Sequence, residues 1–218
     1  MRRLLLILFT LHSSLFTLVV SAQEFSSQPI PDSVFQRMQG RSWPEGCTIR
    51  RADLRYLRLS HYDAEKRQHV GEMVCNKAIA DDLLDIFREL YRQQYPIQRI
   101  RLIDDYDASD ERSMRDNNSS CFCYRRISGT TKLSKHAQGM AVDINTLYNP
   151  YVRTGKNGRR IVEPATATKY VDRRKSFPYK IVKGDLLHRL FLQHGFKWGG
   201  SWRTMKDWQH FEKEKGKK

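Results

Sequence analysis

With 218 residues, 39% of them hydrophobic and 11% aromatic, the chain is about one domain long and has the bulk to bury a core, which excludes disorder as its default state. A formal charge of +15 first suggests nucleic acid, but the N-terminus argues against it. Met1-Arg2-Arg3 is a short basic start, Leu4 to Val20 is almost wholly apolar, and Val20-Ser21-Ala22 has the small residues of a cleavage site. Residues 1–22 therefore read as a secretory signal, with Gln23 opening the mature chain.

The competing reading of that run is a retained anchor, for which it is near the lower limit of bilayer-spanning length. No second apolar stretch of that length follows, so no stable membrane insertion is expected after cleavage. Losing Arg2 and Arg3 leaves 15 minus 2, or +13. Such a charge on an exported protein suits anionic polymers or membrane surfaces.

Residues 23–45, rich in Ser, Pro and Gln, read as a tether and lead-in segment, with Phe35, Met38 and Trp43 available to pack on the domain. The domain itself is expected over residues 46–212. Leu54–Leu59 and His69–Cys75 are strand candidates flanking a polar turn, which predicts a hairpin. Apolar residues recur at helical spacing from Ile79 to Tyr91, and Pro96 closes that helix. Ile97–Ile103 reads as a strand, and the polar residues 106–120 as a loop and candidate substrate lip.

Cys121–Ile127 and Ala141–Asn145 are further strand candidates, the latter setting Asp143 and Asn145 on one side. Residues 146–180 read as an irregular insertion. Lys183–His194 reads as a second helix stopped by Gly195. Residues 196–202 form an aromatic and glycine turn, residues 207–212 the last strand, and residues 213–218 a basic, frayed tail. Short strands and separate helices without an internal repeat predict a single α+β domain.

Export permits disulfides among Cys47, Cys75, Cys121 and Cys123. Cys121 and Cys123 share a strand face and are poorly placed to bond to each other. Cys47 with Cys75, or one of them with the Cys121/Cys123 pair, could bond; free buried thiols are equally compatible.

Two stretches carry chemistry: Ser134-Lys135-His136-Ala137-Gln138-Gly139-Met140-Ala141-Val142-Asp143 and Asp207-Trp208-Gln209-His210-Phe211. Singly, each His has a bland reading as a surface or core group. Together His136, Asp143 and His210 offer three ligands for one zinc ion (Zn2+), and a catalytic zinc has three protein ligands and an open fourth position. Gly139 permits the turn that brings Asp143 back beside His136. Asp207 is a spare carboxylate three residues before His210, able to take a proton from water. Asn145 and Trp208 are candidate supports for the ligands.

From Met73 to Glu212 the sequence resembles the zinc D-Ala-D-Ala carboxypeptidases of the VanY type and the related peptidoglycan L-alanyl-D-glutamate endopeptidases. The residues that carry the resemblance are Ser-x-His-x-x-Gly-x-Ala-x-Asp at Ser134–Asp143 and Asp-x-x-His at Asp207–His210. Ala108–Met114, Asn117–Ser119, Tyr124-Arg125 and Trp198–Trp202 also match. The resemblance implies a small antiparallel sheet with helices packed on one face, and zinc on His136, Asp143 and His210. It also implies Asp207 as general base, where many relatives have Glu, Arg125 beside the scissile carbonyl, and Ser134 lining the substrate site. Arg125 is chosen over Arg126 on the Tyr-Arg match alone. The implied protein is an exported, monomeric peptidase acting on peptidoglycan stem peptides. The alternative is a non-catalytic wall-binding module on the same scaffold, which could lose any of these residues without penalty.

Overall fold

In the computed structural model, which describes residues 23–127 and 130–216, the architecture grows from one long hairpin. The expected signal segment lies outside the described residues. Phe25–Gln28 (β1) pairs antiparallel with Leu54–Tyr62 (β2), and β2 pairs along its whole length with Gln68–Asn76 (β3). Leu57, Leu59, Met73 and Cys75 are buried toward one face, and Leu54, Tyr56 and Val74 toward the other. Both faces of the hairpin are therefore covered.

Residues 23–45 do the second half of that covering, and this corrects the tether reading. Ser26, Ser27 and Gln28 lie in β1, on the sheet edge, while Asp32–Met38 (α1) buries Val34 and Met38 against Leu54, Tyr56 and Phe122. Phe35 and Trp43 pack edge to face beside them, ring centroids 5.3 Å apart. A segment that looks hydrophilic on average is held by a few apolar residues at helical spacing.

The other face receives Ala80–Arg92 (α2), whose Leu83, Ile86, Phe87 and Leu90 enter the main core. Asp81 and Asp82 sit in its first turn, where negative charge favours the helix N-terminus. Asp82 also receives Lys213 Nζ at 2.7 Å and faces His194 Nδ1 at 3.1 Å. Lys213 donates its N–H to the Met140 carbonyl, and Lys135 Nζ meets Glu214 at 2.5 Å. The chain's basic end is thus docked as far as residue 214, not frayed from 213.

The strand expected over 97–103 shrinks to Arg99–Ile100 (β4), and the polar residues 106–120 are not a loop. They hold Asp110–Arg115 (α3), capped by the Ser109 side chain on Arg112 N–H, and Asn118–Ser119 (β5), which pairs parallel with β4. Ser113, Asn117, Asn118 and Ser119 are buried. Their side chains satisfy backbone groups: Asn118 bonds both the N–H and the carbonyl of Arg101, and Asn117 accepts from Leu147 N–H. Short polar side chains that pair with the backbone fill an interior as readily as they face water.

Residues 121–127 are extended but form no ladder. Their N–H groups go to scattered places, Phe122 to Val74, Cys123 to His136, Tyr124 to Ser42 and Ile127 to Lys132. Ala141–Asp143 (β6) follows. The insertion at 146–180 contains a hairpin, Tyr151–Thr154 (β7) with Arg160–Glu163 (β8), then a 3-10 turn over Ala165–Tyr170. Leu186–Gln193 (α4), capped by Asp185 on His188 N–H, packs against α2.

The end of the chain departs most from expectation. Lys197–Trp198 (β9) is followed by Met205–Asp207 (β10) and His210–Glu212 (β11). Residues 207–212 are therefore two strands in two sheets, β10-β7-β8 and β6-β11-β9, with Trp208-Gln209 crossing between them. The whole is one α+β domain of small sheets, three of them antiparallel.

Gly139 fixes the loop that precedes β6. Its φ is +65°, and a Cβ there would lie 2.7 Å from Asn76 N, whose N–H bonds the Gly139 carbonyl at 2.8 Å. Gly139→Ala is expected to destabilise the fold by about 2–4 kcal/mol, combining left-handed strain with a backbone clash. Urea unfolding checks this, and an unchanged midpoint would contradict the packing described.

Candidate metal centre

Strand pairing brings the ligand candidates together. On β11 and β6, His210 and Asp143 are direct cross-strand partners, so their Cβ atoms are forced to neighbouring positions on one face. His136 arrives from the tight turn His136–Gln138, whose first N–H groups are tied down when Ser134 Oγ accepts from Ala137 N at 3.0 Å. The resulting triangle is small: His136 Nε2 to His210 Nδ1 is 3.1 Å, His136 Nε2 to Asp143 Oδ2 3.2 Å, and His210 Nδ1 to Asp143 Oδ1 3.0 Å. Ligand atoms on a tetrahedral zinc, each at about 2.0–2.1 Å from it, lie roughly 3.3–3.4 Å apart. Asp143 meets the two imidazoles through different oxygens, and one donor atom from each residue lies within 4.8 Å of the others, so the set can close on such an ion by a small shift of side chains.

The outer nitrogens of both imidazoles are engaged, which orients the inner ones. His136 Nδ1 lies 2.7 Å from the Cys121 carbonyl oxygen, an acceptor only, so Nδ1 donates there and Nε2 is turned toward the site. His210 Nε2 lies 3.2 Å from Glu212 Oε2, a carboxylate–histidine arrangement that leaves Nδ1 toward the site. Glu212 escaped the sequence reading, although His-x-Glu in a strand sets both side chains on one face. The signal was present and unused. Glu212→Gln is expected to weaken zinc binding about 10–100-fold, read by competition with a chromophoric chelator; equal affinity would remove Glu212 from the site.

The electrostatics follow from burial. His136 and His210 are buried, and Asp143 is half-buried. Burial opposes charge on Asp143, but the two imidazoles hold its carboxyl well below the usual carboxylate range. Burial likewise opposes charge on His210, yet its bonds to Asp143 and Glu212 carry its pKa up to about 10. The His210 bond in turn holds the Glu212 carboxyl below its ordinary value.

Asp207 ends β10 beside this triangle. Gly199 makes the proximity possible: a Cβ on it would fall 2.8 Å from Asp207 Cβ and 3.3 Å from His210 Cβ. Those two Cβ atoms are therefore at most about 6 Å apart. Asp207 Oδ1 is buried without a hydrogen-bond partner among the described residues. Burial and the charge of Asp143 push its carboxyl up to about 7, against the pull of His210 and Arg125. A half-buried carboxyl with one idle oxygen, next to a set of metal donors, is a candidate proton carrier.

The remaining candidates divide. Arg125 turns inward, its Nε 2.6 Å from Asp110 Oδ2 on α3 in an ion pair not aligned as a hydrogen bond, and Asp143 and Asp207 both feel its charge. Arg126 is exposed and bonds the Thr131 carbonyl, so the structure separates the two neighbours. Ser134 is buried, and its oxygen caps the ligand-bearing turn. Asn145 does not support the ligands: at φ +49° it turns away and bonds Gln98 N–H and the Pro96 carbonyl. Trp208 carries Arg173 over its ring at 4.8 Å, and its carbonyl accepts from Trp198 Nε1. Trp202, which sequence reasoning left in a turn, faces the His210 ring at 5.4 Å between centroids. All four cysteines are free thiols, and burial raises the pKa of each.

The family model described as D-alanyl-D-alanine carboxypeptidase matches residues 128–213, under half of the chain and including all three ligand candidates, Ser134, Asp207 and Glu212. Arg125 and the hairpin β2–β3 lie outside that match. No curated protein and no solved structure matches the chain.

Proposed function

We propose, for a chain whose residues 128–213 match the D-alanyl-D-alanine carboxypeptidase family model, that it is an exported zinc enzyme hydrolysing stem peptides of peptidoglycan. The observation that carries this reading is the pairing of a ready-made donor triangle with a separate buried carboxylate. His136, Asp143 and His210 would hold the ion, their donor atoms lying within 4.8 Å of one another. Zinc bound there would supply polarisation of the scissile carbonyl and a water acidic enough to react near neutral pH.

The chain's own residues account for the rest. Asp207, with a pKa near 7, accepts a proton from attacking water and returns it to the leaving amine; a group titrating near the working pH does both. Arg125, charged and inward-facing, offers N–H donors to the carbonyl oxygen as negative charge grows. Cys121 and Glu212 keep the two imidazoles oriented. The basic, apolar leader at residues 1–22 supports export.

Digestion of purified muropeptides with and without a chelator, with products identified by mass, tests the proposal. Loss of a terminal alanine, abolished by chelator, is the expected carboxypeptidase result; release of a longer stem fragment makes the chain an endopeptidase of the same chemistry. Unaltered muropeptides from folded, zinc-replete protein would overturn catalysis and favour the wall-binding alternative.

A further inference from the structure

A group of cationic side chains lies outside the metal centre. An open groove of about 580 Å³ is walled by β7, β8, β10 and the segment that follows β8. Arg153, Arg160, Arg174, Arg203 and Lys206 line it, with Asp172 as the one acid. Asp172 is taken by Arg174 through two contacts of 2.9 and 3.1 Å. Among the described residues, Arg153, Arg160 and Arg203 form no ion pair, and Lys206 Nζ meets only the Trp202 carbonyl, at 2.5 Å. By register Arg160 and Lys206 share one face of the β10-β7-β8 sheet and Arg153 lies on the other, so the cations gathered at the groove are Arg160, Arg203 and Lys206, which repel one another and concentrate anions there.

The remaining lining narrows the ligand. Three threonines offer hydroxyls, and Trp208 supplies a single aromatic wall, one side of which Arg173 covers at 4.8 Å. A nucleic-acid track would repeat aromatic platforms along a charged groove; here there is one, in an isolated hollow within the volume range of small-ligand sites. Planar Arg forks suit phosphate and carboxylate, while hydroxyls and one ring suit a sugar.

We propose that this groove binds a saccharide unit of an anionic glycan through its phosphate or carboxylate groups. The proposal stands apart from the peptidase reading, because none of its residues belongs to the metal centre. It gives the excess charge of the chain a place and a ligand class.

The test is fluorescence binding, at 0.15 M salt, of labelled phosphomannan oligosaccharide and labelled oligogalacturonate to the purified protein. Neutral maltohexaose and duplex DNA serve as comparisons. Arg160 and Arg203 are exposed, so the double variant R160E/R203E should fold. It is expected to bind the anionic saccharide at least about tenfold more weakly, the size of one lost charge-assisted hydrogen bond. The variant K183E/K215E, with the same charge change elsewhere, should bind within about twofold of the parent, as distant surface charges do. Whichever of the two saccharides binds more tightly identifies phosphate or carboxylate as the group recognised. Equal losses in both variants, tighter binding of DNA, equal binding of maltohexaose, or no binding of either charged saccharide would each overturn the site. Zinc content and hydrolysis of a short soluble peptide should be unchanged in R160E/R203E, so failure here leaves the peptidase reading standing, and the reverse.

Discussion

Asp207→Asn is expected to reduce kcat/KM on muropeptides by on the order of 10²–10⁴-fold, the usual worth of a positioned general base, while zinc content stays that of the parent. The amide keeps the shape of the carboxyl but can neither take nor return a proton. The same variant carries a signature that a merely structural residue would lack. In the metal-free protein the Asp207 carboxyl titrates at about 7 because it is buried beside Asp143; in the unfolded chain it titrates near 4. Between those values the folded form keeps a proton that the unfolded form gives up. The stability this group contributes is thus full below about pH 4 and is lost as pH rises through 7. Above pH 7 a buried, half-paired carboxylate burdens the fold. Asp207→Asn should therefore unfold at higher temperature than the parent at pH 8, by a few degrees for about 1–2 kcal/mol, and show little difference at pH 4. Thermal melts of both proteins at the two pH values decide it. A parent-like rate, or a variant less stable at pH 8, would remove Asp207 from the role given to it.

His210→Ala should weaken zinc binding by more than the 10–100-fold expected for its partner Glu212, because it removes a corner of the donor triangle itself. Proton counting separates this from general damage. With a pKa of about 10, His210 is protonated at pH 7–8 and must release that proton to offer Nδ1 to an ion. Zinc binding by the parent should then release about one proton from this residue, and affinity should climb with pH toward 10. In His210→Ala that proton is no longer released. Calorimetry in two buffers of different ionisation enthalpy measures the difference. Equal affinity and equal proton release in parent and variant would mean that the ion binds elsewhere.

Local pattern and chemistry were readable residue by residue. Helix α2 was legible because its apolar residues repeat at 3.6 and Pro96 stops it; the β2–β3 hairpin was legible because two apolar runs flank a polar turn. His136, Asp143, His210 and Asp207 were legible as a set because few other chemistries call for two imidazoles and two carboxylates at such spacings. What stayed hidden has one cause in each case. Polar residues at 106–120 read as a loop, and only the fold reveals that Asn117, Asn118 and Ser119 spend their hydrogen bonds on backbone groups. Arg125 and Arg126 are indistinguishable as neighbours until one meets Asp110 and the other the Thr131 carbonyl.

The amino-acid order by itself determined which groups are available to the site: the donors, the spare acid, the glycine that lets the ligand loop turn. Only the tertiary structure decided their distances, because Asp143 and His210 are 67 residues apart and meet through the pairing of β6 with β11. It likewise parted Asp207 from His210 by setting them in strands of different sheets, which leaves the acid free of the donor set. No local propensity encodes that division; long-range strand pairing, which depends on the whole core closing, does.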